Sequence, residues 1–315
     1  MTPPLVSIIT AAFNAERFMD ETIASVQAQT HRNWEWIIVD DGSRDETREV
    51  IRRAIARDPR IRLVCFPRNT GLAAAARNAA MRRAKGEYIA FLDADDLWLP
   101  TKLEEQLRVF DSSPGVAVVC TWYDVFGDEE RARLWNQLLW RFDTSVVTID
   151  QALQQSLVTS SVMMRRECFQ KVGGMIASRR LTTGEDTEYW IRLVANFETR
   201  RICRALVRYR VNAEGDSLST IKLDQKRNRD RELRRRLLRS DYLTELQKKK
   251  YAAISYYNSA RDSLFHFHAP FRRDLYRSVL TMHAPPKALV MAALSFLPAS
   301  LLAPLLKFLL KLKQR

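Results

Sequence analysis

The stretch Phe91-Leu92-Asp93-Ala94-Asp95-Asp96 decides the fold prediction for this chain. It places three carboxylates directly behind a short apolar segment, residues 88–92, which reads as a buried strand. Ligands of open α/β folds bind at the carboxyl edge of the sheet, where such an acidic turn would lie. Carboxylate oxygens suit Mg²⁺ or Mn²⁺, which usually bridge protein carboxylates to substrate phosphates. The stretch fits a divalent-metal site that faces a phosphorylated substrate, but acidic turns after strands are common, so the neighbouring segments decide the interpretation.

Strand-like and helix-like segments alternate on both sides of this stretch. Strands are predicted over residues 5–10, 34–39, 61–66, 88–92 and 116–121, and amphipathic helices near 15–29, 45–57, 72–84 and 102–111. Ser43 with Glu46, and Thr101 with Glu104, fit capping boxes at two helix starts. Gly86 fits a left-handed helix cap. Repeated βα units predict an α/β fold with a mostly parallel, Rossmann-like sheet flanked by helices. The pattern weakens over 123–158, where an inserted helix or a flexible connection is expected.

The last third of the chain has a different character. Residues 222–250 are dense in Arg and Lys at helical spacing, so we place a domain boundary after residue 220 and predict a basic helical region over 221–315. Residues 288–306 form an almost uninterrupted apolar run that contains Pro298 and Pro304 and is followed by lysines. A membrane span needs about 20 apolar residues, and the two prolines disfavour a straight helix. We expect an interfacial membrane-associating segment; a true span and a buried helix or oligomer contact stay open.

Charge and cysteine content restrict the partners and the compartment. The 315 residues carry a formal net charge of +14, which permits binding to nucleic acid, to an anionic membrane or to phosphorylated substrates. Nucleic acid is disfavoured, because neither an aromatic RNA-binding motif nor a helix-turn-helix pattern accompanies the charge. Four cysteines without a CxxC pair indicate reduced, buried thiols. With no signal-peptide pattern at the start, we expect a cytoplasmic protein, peripheral on the cytoplasmic face of the membrane.

The ends of the first four predicted strands carry small and polar residues. The first is followed by Ala11-Ala12-Phe13-Asn14 and the second by Asp40-Asp41-Gly42-Ser43. The third is followed by Arg68-Asn69-Thr70-Gly71, with Arg77 and Asn78 shortly after, and the fourth by the acidic stretch. Four such ends side by side in one sheet would line a single crevice. The pattern predicts a nucleotide-binding site.

These motifs, in this order, resemble the family 2 glycosyltransferases. The resemblance rests on Val6-Ser7-Ile8-Ile9 with Phe13-Asn14, Ile38-Val39-Asp40-Asp41-Gly42-Ser43, Asn69-Thr70-Gly71-Leu72 with Ala76-Arg77-Asn78, and Asp93-Ala94-Asp95-Asp96. It covers roughly residues 4–215. It implies the GT-A fold for a catalytic domain over 1–220. It also implies inversion at the sugar carbon, a nucleoside-diphosphate sugar as donor, and Mg²⁺ or Mn²⁺ as cofactor.

The resemblance also implies roles for individual residues. Asp41 matches the carboxylate that accepts a hydrogen bond from the donor base, usually uracil, and Asp95 matches the direct metal ligand. Asp93 matches the residue that reaches the ribose or a metal-bound water. Arg77 would lie near the diphosphate or hold the acidic groups of the site. The implied donor-binding residues are Ala11, Phe13, Asn14, Asp41, Arg77 and Asp93, and the implied metal residues are Asp95 and Asp93. Phe13 departs from the family, which often has Tyr there.

The second half of the resemblance supplies a general base. Thr182-Thr183-Gly184-Glu185-Asp186 precedes a helical run and resembles the family's Glu-Asp motif. Inversion needs one carboxylate to take the proton of the acceptor hydroxyl, and we assign Asp186 to that role, with Glu185 as acceptor contact or alternative base. Thr159-Ser160-Ser161 and Gly173-Gly174 match positions that bound the acceptor side. The Gln-x-x-Arg-Trp motif of processive synthases is absent, which favours transfer of a single sugar to a hydroxyl acceptor, plausibly a lipid-linked saccharide.

Two other interpretations remain at this stage. A nucleotidyltransferase would share the acidic metal site, but it would want a glycine-rich loop with a basic residue after the first strand, and Ala11–Asn14 lacks one. A non-catalytic nucleotide-sugar-binding or scaffold protein on the same fold would tolerate replacement of Asp186. The sequence carries no readable code for the sugar, the acceptor, the linkage or the oligomeric state.

Overall fold

A mixed β-sheet forms the centre of the first part of the chain in the computed structural model of the protein, which describes residues 3–138, 142, 144–181, 184–211 and 223–265. Its strands within these ranges are β1 (Val6–Ala12), β2 (Trp34–Asp40), β3 (Ile61–Cys65), β4 (Tyr88–Phe91), β5 (Leu97–Trp98), β6 (Val116–Gly127), β7 (Met163–Arg165) and β8 (Glu198–Val211). Their order across the sheet is β3-β2-β1-β4-β7-β6-β8-β5. The predicted adjacency of the first four strand ends is therefore confirmed.

The half of the sheet that contains β3, β2, β1 and β4 is entirely parallel. β7 pairs antiparallel with β4 and with β6, whereas β6 and β8 run parallel and β5 joins the far edge antiparallel to β8. The chain leaves β1 towards β2 on one side and later enters β4 on the other side. This reversal creates a crevice at the carboxyl ends of β1 and β4, which is where α/β sheets bind ligands.

Helices cover both faces of the sheet and confirm the predicted α/β architecture. Their bounds are α1 (Glu16–Gln27), α2 (Thr47–Arg57), α3 (Ala73–Met81), α4 (Lys102–Ser112), α5 (Glu129–Leu138), α6 (Ile149–Gln154), α7 (Arg166–Val172) and α8 (Glu185–Asn196). Two further helices, α9 (Leu223–Leu238) and α10 (Glu245–Phe265), follow later in the chain. Side chains alternate along each strand, so Ile8 packs in the core layer with α1, α2 and α4, and Ile9 in the layer with α3, α7 and α8. Two apolar layers thus hold the sheet rigidly beneath the crevice.

The two predicted capping boxes are wrong. Helix α2 begins at Thr47 after Glu46, with no side-chain cap, and the Ser43 hydroxyl accepts a hydrogen bond from the Asn14 N–H instead. At α4, Thr101 donates to the side chain of Glu105, and Glu104 accepts from the Thr30 hydroxyl at 2.6 Å. Ser43 and Glu104 thus have tertiary partners, and Thr101 bonds to a side chain of its own helix instead of capping it.

Gly86 is required for a reason other than the one predicted from sequence. Its backbone is not left-handed, since the glycines with positive φ are at other positions. A Cβ at Gly86 would lie 2.5 Å from the Leu5 carbonyl oxygen and 2.7 Å from the Ser7 nitrogen. The absence of a side chain therefore lets the start of β4 approach β1 closely, which sets the parallel pairing at the centre of the sheet.

The region around 123–158 contains more regular structure than the sequence indicated. β6 continues to Gly127, and α5 and α6 follow. Asn136 on α5 donates to the Val125 carbonyl and accepts from the Val125 N–H, so α5 is fastened to the end of that strand.

The cysteines are all free thiols, but only Cys120 and Cys168 are buried. The prediction of buried thiols is wrong for Cys65 and Cys203, which are exposed.

The chain divides into two compact units, Met1–Arg229 and Asp230–Arg315. The predicted boundary after residue 220 falls within 212–222, outside the described residues, and stays a prediction. In the second unit, the Arg234 guanidinium donates to the Ser255 hydroxyl and lies 4.1 Å from the centre of the Tyr256 ring. No helix among the described residues is long and apolar enough to cross a membrane. The apolar run at 288–306 lies outside them.

Candidate active site

A cleft of about 840 Å³ opens at the carboxyl ends of the parallel strands. All nine residues that the sequence predicted for the site line this cleft: Ala11, Phe13, Asn14, Asp41, Arg77, Asp93, Asp95, Glu185 and Asp186. Small-molecule and cofactor pockets typically span about 300–1,000 Å³, so the space suits a ligand of nucleotide-sugar size. The fold thus brings together residues separated by up to 175 positions, from Ala11 to Asp186.

The acidic stretch after β4 divides into two half-buried carboxylates and one fully buried one. Asp93 and Asp95 face the cleft, whereas Asp96 is fully buried. Burial, together with the charge of Asp93, raises the pKa of Asp95 to about 6. Asp96 accepts hydrogen bonds from the Ser160 hydroxyl at 2.5 Å and from the Arg210 N–H at 2.9 Å. Asp93 and Asp95 are therefore available to a ligand, and Asp96 fixes the turn that presents them.

The carboxylates that face the cleft fit a divalent cation. Crowding of Asp93 and Asp95, with burial, disfavours two negative charges there, and a cation would relieve that repulsion. Among the described residues no group of three or more His, Cys, Asp or Glu side chains forms a complete ligand set. Mg²⁺ is commonly held by only one or two carboxylates, with waters and substrate phosphates as the remaining ligands. The donor set is that of an open site of this kind.

Two residues from distant segments hold the acidic turn in place. The Arg210 side chain on β8 donates to the Asp95 carbonyl at 2.8 Å and to the Glu21 carboxylate at 2.7 Å. The Ser160 hydroxyl accepts from the Asp93 N–H at 3.0 Å while it donates to Asp96. Ser160 was placed by sequence on the acceptor side of the site. Arg210 was missed, because it lies 114 residues from Asp96 and no local pattern marks it.

Arg77 on α3 connects the acidic turn to the start of α8. Its guanidinium donates to Asp93 at 2.6 Å and lies 3.6 Å from Glu185. Burial works against the charged form, but Asp93 and Glu185 outweigh it and raise the pKa of Arg77. Of the two roles that the sequence left open for Arg77, the observed contacts are those of a residue that holds the acidic groups.

Glu185 and Asp186 form the first turn of α8. Asp186 accepts from the Thr187 N–H at 2.6 Å and, at the long distance of 3.4 Å, from the Thr159 hydroxyl. Burial raises the pKa of Asp186, and burial together with the Asp186 charge raises that of Glu185. A carboxylate with a raised pKa in a cleft is suited to accept a proton near neutral pH. Thr182 and Thr183 of the predicted motif lie outside the described residues.

The opposite end of the cleft is formed by the turns after β1 and β2. Both oxygens of Asp41 accept hydrogen bonds from Thr70, one from its N–H and one from its hydroxyl, each at 2.9 Å. Asn14 has φ 48°, and its side-chain oxygen accepts from the Arg44 N–H. Phe13 is 46% exposed although it is large and apolar. An aromatic face and a partly engaged carboxylate are thus offered at the cleft mouth.

Several residues that line the cleft were not singled out from the sequence. They are Arg17, Phe18, Asp45, Tyr209 and Arg229, in addition to neighbours of the predicted residues. Tyr209 lies on β8 and Arg229 on α9. Neither has a local motif around it, and Arg229 belongs to the basic run that the sequence analysis treated as a surface.

Comparison with solved structures establishes the class of fold. Staphylococcus aureus TarS, in complex with UDP-GlcNAc, superposes with a TM-score of 0.66 over 90% of this chain and 82% of its own, at 17% sequence identity. The mannosyltransferase PcManGT from Pyrobaculum calidifontis, in complex with GDP-Man and Mn²⁺, gives 0.55 over 100% of this chain and 82% of its own, at 18% identity. The chain has the GT-A fold of these glycosyltransferases.

Sequence comparison identifies the family. The model of glycosyl transferase family 2 matches residues 7–173. The putative teichuronic acid biosynthesis glycosyltransferase TuaG of Bacillus subtilis is 36% identical over 212 residues, which are 66% of this chain and 79% of TuaG. The chain belongs to glycosyl transferase family 2 and is a glycosyltransferase. A further relative, the Escherichia coli UDP-Glc:α-D-GlcNAc-diphosphoundecaprenol β-1,3-glucosyltransferase WfaP, is 44% identical over 109 residues, 34% of this chain and 42% of WfaP.

Proposed function

We propose that this glycosyltransferase transfers a single sugar, of the hexose type, from a nucleoside-diphosphate sugar to a hydroxyl acceptor, with inversion and with Mg²⁺ or Mn²⁺. The donor is most simply a UDP-sugar and the acceptor a lipid-linked saccharide used in surface-polysaccharide assembly. The observation that carries the proposal is the arrangement of two acidic pairs in one cleft. Asp93 and Asp95 lie at the end of β4, and Glu185 and Asp186 at the start of α8, joined by Arg77.

Asp186 would act as the general base. The acceptor oxygen attacks the anomeric carbon as the bond from that carbon to the diphosphate oxygen breaks. Asp186 accepts the hydroxyl proton during the attack and later loses it to solvent. No covalent enzyme intermediate is needed, because inversion is one displacement. A positioned base contributes about 10²–10⁴-fold to the rate.

Asp93 and Asp95 would hold the cation and orient the donor diphosphate. When bound, the cation supplies positive charge that offsets the charge of the departing nucleoside diphosphate. Arg77 contacts both Asp93 and Glu185. One side chain would therefore position the cation side and the acceptor side of the cleft relative to each other. Phe13 would offer an apolar surface to the nucleobase of the donor. Asp41 remains the carboxylate proposed to accept a hydrogen bond from an N–H of that nucleobase.

The names of related proteins support the donor and acceptor classes. WfaP is named for UDP-glucose and a diphosphoundecaprenol-linked acceptor, and TuaG for teichuronic acid biosynthesis. TarS was solved with UDP-GlcNAc, and PcManGT with GDP-Man and Mn²⁺. If this chain shares these properties, the simplest proposal is that its donor is a UDP-sugar and its acceptor is linked to a lipid diphosphate.

We further propose that the protein acts on the cytoplasmic face of a membrane as a peripheral protein. The formal net charge of +14 favours an anionic surface. Arg235, near the end of α9, and Arg239, directly after that helix, are both exposed, with Leu238 exposed beside them. Vesicle co-sedimentation with neutral and with anionic lipid tests this attachment, and equal binding to both would contradict it.

The enzyme class is tested by a panel of UDP-, GDP- and dTDP-sugars with Mn²⁺ or Mg²⁺. Two quantities are measured for the wild type and for Asp95→Ala: release of nucleoside diphosphate, and equilibrium binding of the donor. We expect metal-dependent binding or release with one donor, lost in the variant because a cation ligand is gone. Asp111→Ala is the matched control, since this carboxylate lies at the end of α4, away from the cleft.

The same panel separates the alternatives. If the wild type and Asp186→Asn both bind the donor but neither transfers the sugar, the scaffold interpretation is favoured. Release of pyrophosphate from a nucleoside triphosphate and a sugar phosphate would favour a nucleotidyltransferase. If the folded wild type neither binds a nucleotide-sugar nor releases a nucleoside diphosphate, a nucleotide-sugar function is rejected altogether.

A further inference from the structure

Among the α9 residues whose side chains the structure describes, Arg229 is the basic residue that lines the cleft. It lies on α9 within the Lys- and Arg-rich run, yet its side chain lines the cleft together with Glu185 and Asp186. Arg231, two residues further on, is exposed. Two residues correspond to a rotation of about 200° around a helix, so the two arginines point in nearly opposite directions. The Arg229 guanidinium thus lies at the cleft, although its neighbours in sequence belong to a basic run.

Arg229 lies against the turn that precedes the general base. A Cβ built on Gly184 would come within 3.0 Å of the Arg229 Cγ and 3.1 Å of its Cδ. The aliphatic part of Arg229 therefore lies against the backbone directly before Glu185, where a larger residue than glycine would crowd it. Burial raises the pKa of Asp186, and the positive charges of Arg77 and Arg229 oppose that rise. The guanidinium is thus close enough to act on the carboxylate electrostatically.

The position of Arg229 is on the acceptor side of the cleft. The positive charges that act on Asp95, at the proposed cation site, are those of Arg210 and Arg77. Those that act on Asp186, at the proposed base, are those of Arg77 and Arg229. In an in-line displacement the attacking hydroxyl and the leaving diphosphate lie on opposite sides of the anomeric carbon. The Arg229 guanidinium, which is grouped with the proposed base Asp186, therefore lies on the side of the cleft where the acceptor would bind.

Resting on the proposed function, we propose that Arg229 binds a phosphate group of the acceptor, close to the hydroxyl that attacks. Glu185 and Asp186 give the acceptor side a negative charge that would repel an anionic acceptor. A guanidinium beside them offsets this repulsion and can form paired hydrogen bonds with phosphate oxygens. The ligand is a sugar joined through a diphosphate to an apolar chain. Arg229 would then select phosphorylated acceptors over neutral glycosides.

The competing role is a purely structural one, in which Arg229 only positions Asp186. A comparison of two acceptors separates the two roles: N-acetylglucosamine α-linked through diphosphate to an undecyl chain, and the same sugar as a neutral undecyl glycoside. Initial rates are measured for the wild type, Arg229→Gln and Arg229→Lys, with Arg231→Gln as the matched control from the exposed side of α9.

Selection by Arg229 predicts an effect confined to the phosphorylated acceptor. Loss of charge-assisted hydrogen bonds should lower kcat/KM for the diphosphate acceptor by about 10–100-fold in Arg229→Gln, mainly through KM. The rate with the neutral glycoside should change by less than about threefold, and Arg229→Lys should recover part of the loss because it keeps the charge. Arg231→Gln should behave as the wild type. An equal loss with both acceptors, with a shifted acid limb of the pH profile, would assign Arg229 to positioning and overturn the proposal.

A binding measurement covers the case in which N-acetylglucosamine is the wrong acceptor sugar. The full chain is saturated with Mn²⁺ and the nucleoside diphosphate of its donor, and is titrated with farnesyl diphosphate or farnesol. We expect wild type and Arg231→Gln to prefer farnesyl diphosphate, and Arg229→Gln to bind it about tenfold more weakly. Equal binding by wild type and Arg229→Gln overturns the proposal. Failure of the wild type to bind any donor would instead reject the proposed function, and thermal unfolding checks that the variants are folded.

Discussion

The two acidic pairs of the cleft are supported very differently. The turn that holds Asp93 and Asp95 is fastened by Arg77, Ser160 and Arg210, which reach it from three other elements. Asp186, by contrast, accepts one short hydrogen bond, from the adjacent Thr187 N–H, and two long ones of 3.4 Å, from the Thr159 and Thr187 hydroxyls. Carboxylates that hold a cation need fixed geometry, whereas a base must be able to take up and release a proton. The difference in support agrees with the roles proposed for Asp93 and Asp95 and for Asp186.

The largest expected effect distinguishes the two members of the α8 pair. Asp186→Asn should reduce kcat by about 10²–10⁴-fold, because the proton acceptor is lost, while donor binding changes little. Glu185→Gln removes a neighbouring charge but leaves the base, so its loss should be much smaller. Steady-state rates and donor dissociation constants for both variants provide the measurement. A larger loss in Glu185→Gln would exchange the two assignments.

A second prediction concerns the support of the acidic turn. Arg210→Lys loses the forked contacts to the Asp95 carbonyl and to Glu21, so the metal affinity should fall by about 10–100-fold. Arg208→Lys is the matched control, since the two guanidiniums each lie 4.4 Å from the centre of the Phe126 ring but Arg208 is exposed. The Mn²⁺ concentration for half-maximal donor binding is measured. Equal shifts in both variants would show that Arg210 acts through Phe126 packing and not through the turn.

The smallest predicted effect is a displacement of the pH profile. Asp186 must be ionised to accept a proton, and burial raises its pKa. As pH falls through that raised pKa, the base becomes protonated and kcat/KM declines, so the acid limb should lie above the usual range of an aspartate. The profile is recorded at two Mn²⁺ concentrations a factor of about ten apart. Cations compete with protons for a ligand such as Asp95, so a limb that moves with Mn²⁺ would belong to Asp95 and not to Asp186.

The parallel half of the sheet was predictable because its signals are local. Each of β1 to β4 is a short apolar run with polar residues at its end, and the helices between them have clear amphipathic spacing. The same locality explains why the cleft residues could be named from motifs. The capping boxes at Ser43 and Thr101 failed for the converse reason, since Ser43 and Glu104 take partners from elsewhere in the fold.

The supporting residues could not be predicted because their roles depend on distant contacts. Arg210 and Arg229 look like ordinary basic residues, and only the folded chain brings one to the acidic turn and the other to the start of α8. β5 and β7 are two and three residues long, too short for periodicity to show. Sequence patterns thus marked the residues that line the cleft, together with Arg77 and Ser160, but neither Arg210 nor Arg229.

The contacts of Arg210 also fix the order in which the site can be completed during synthesis. Its bonds to the acidic turn and to Glu21 span 115 and 189 residues. The parallel strands β1 to β4 can pair as soon as they leave the ribosome, since N-terminal segments emerge first. The turn between Asp93 and Asp96 cannot acquire these contacts until residue 210 has emerged. In an unfinished chain the four parallel strands can therefore be present while the turn proposed to hold the cation still lacks these contacts.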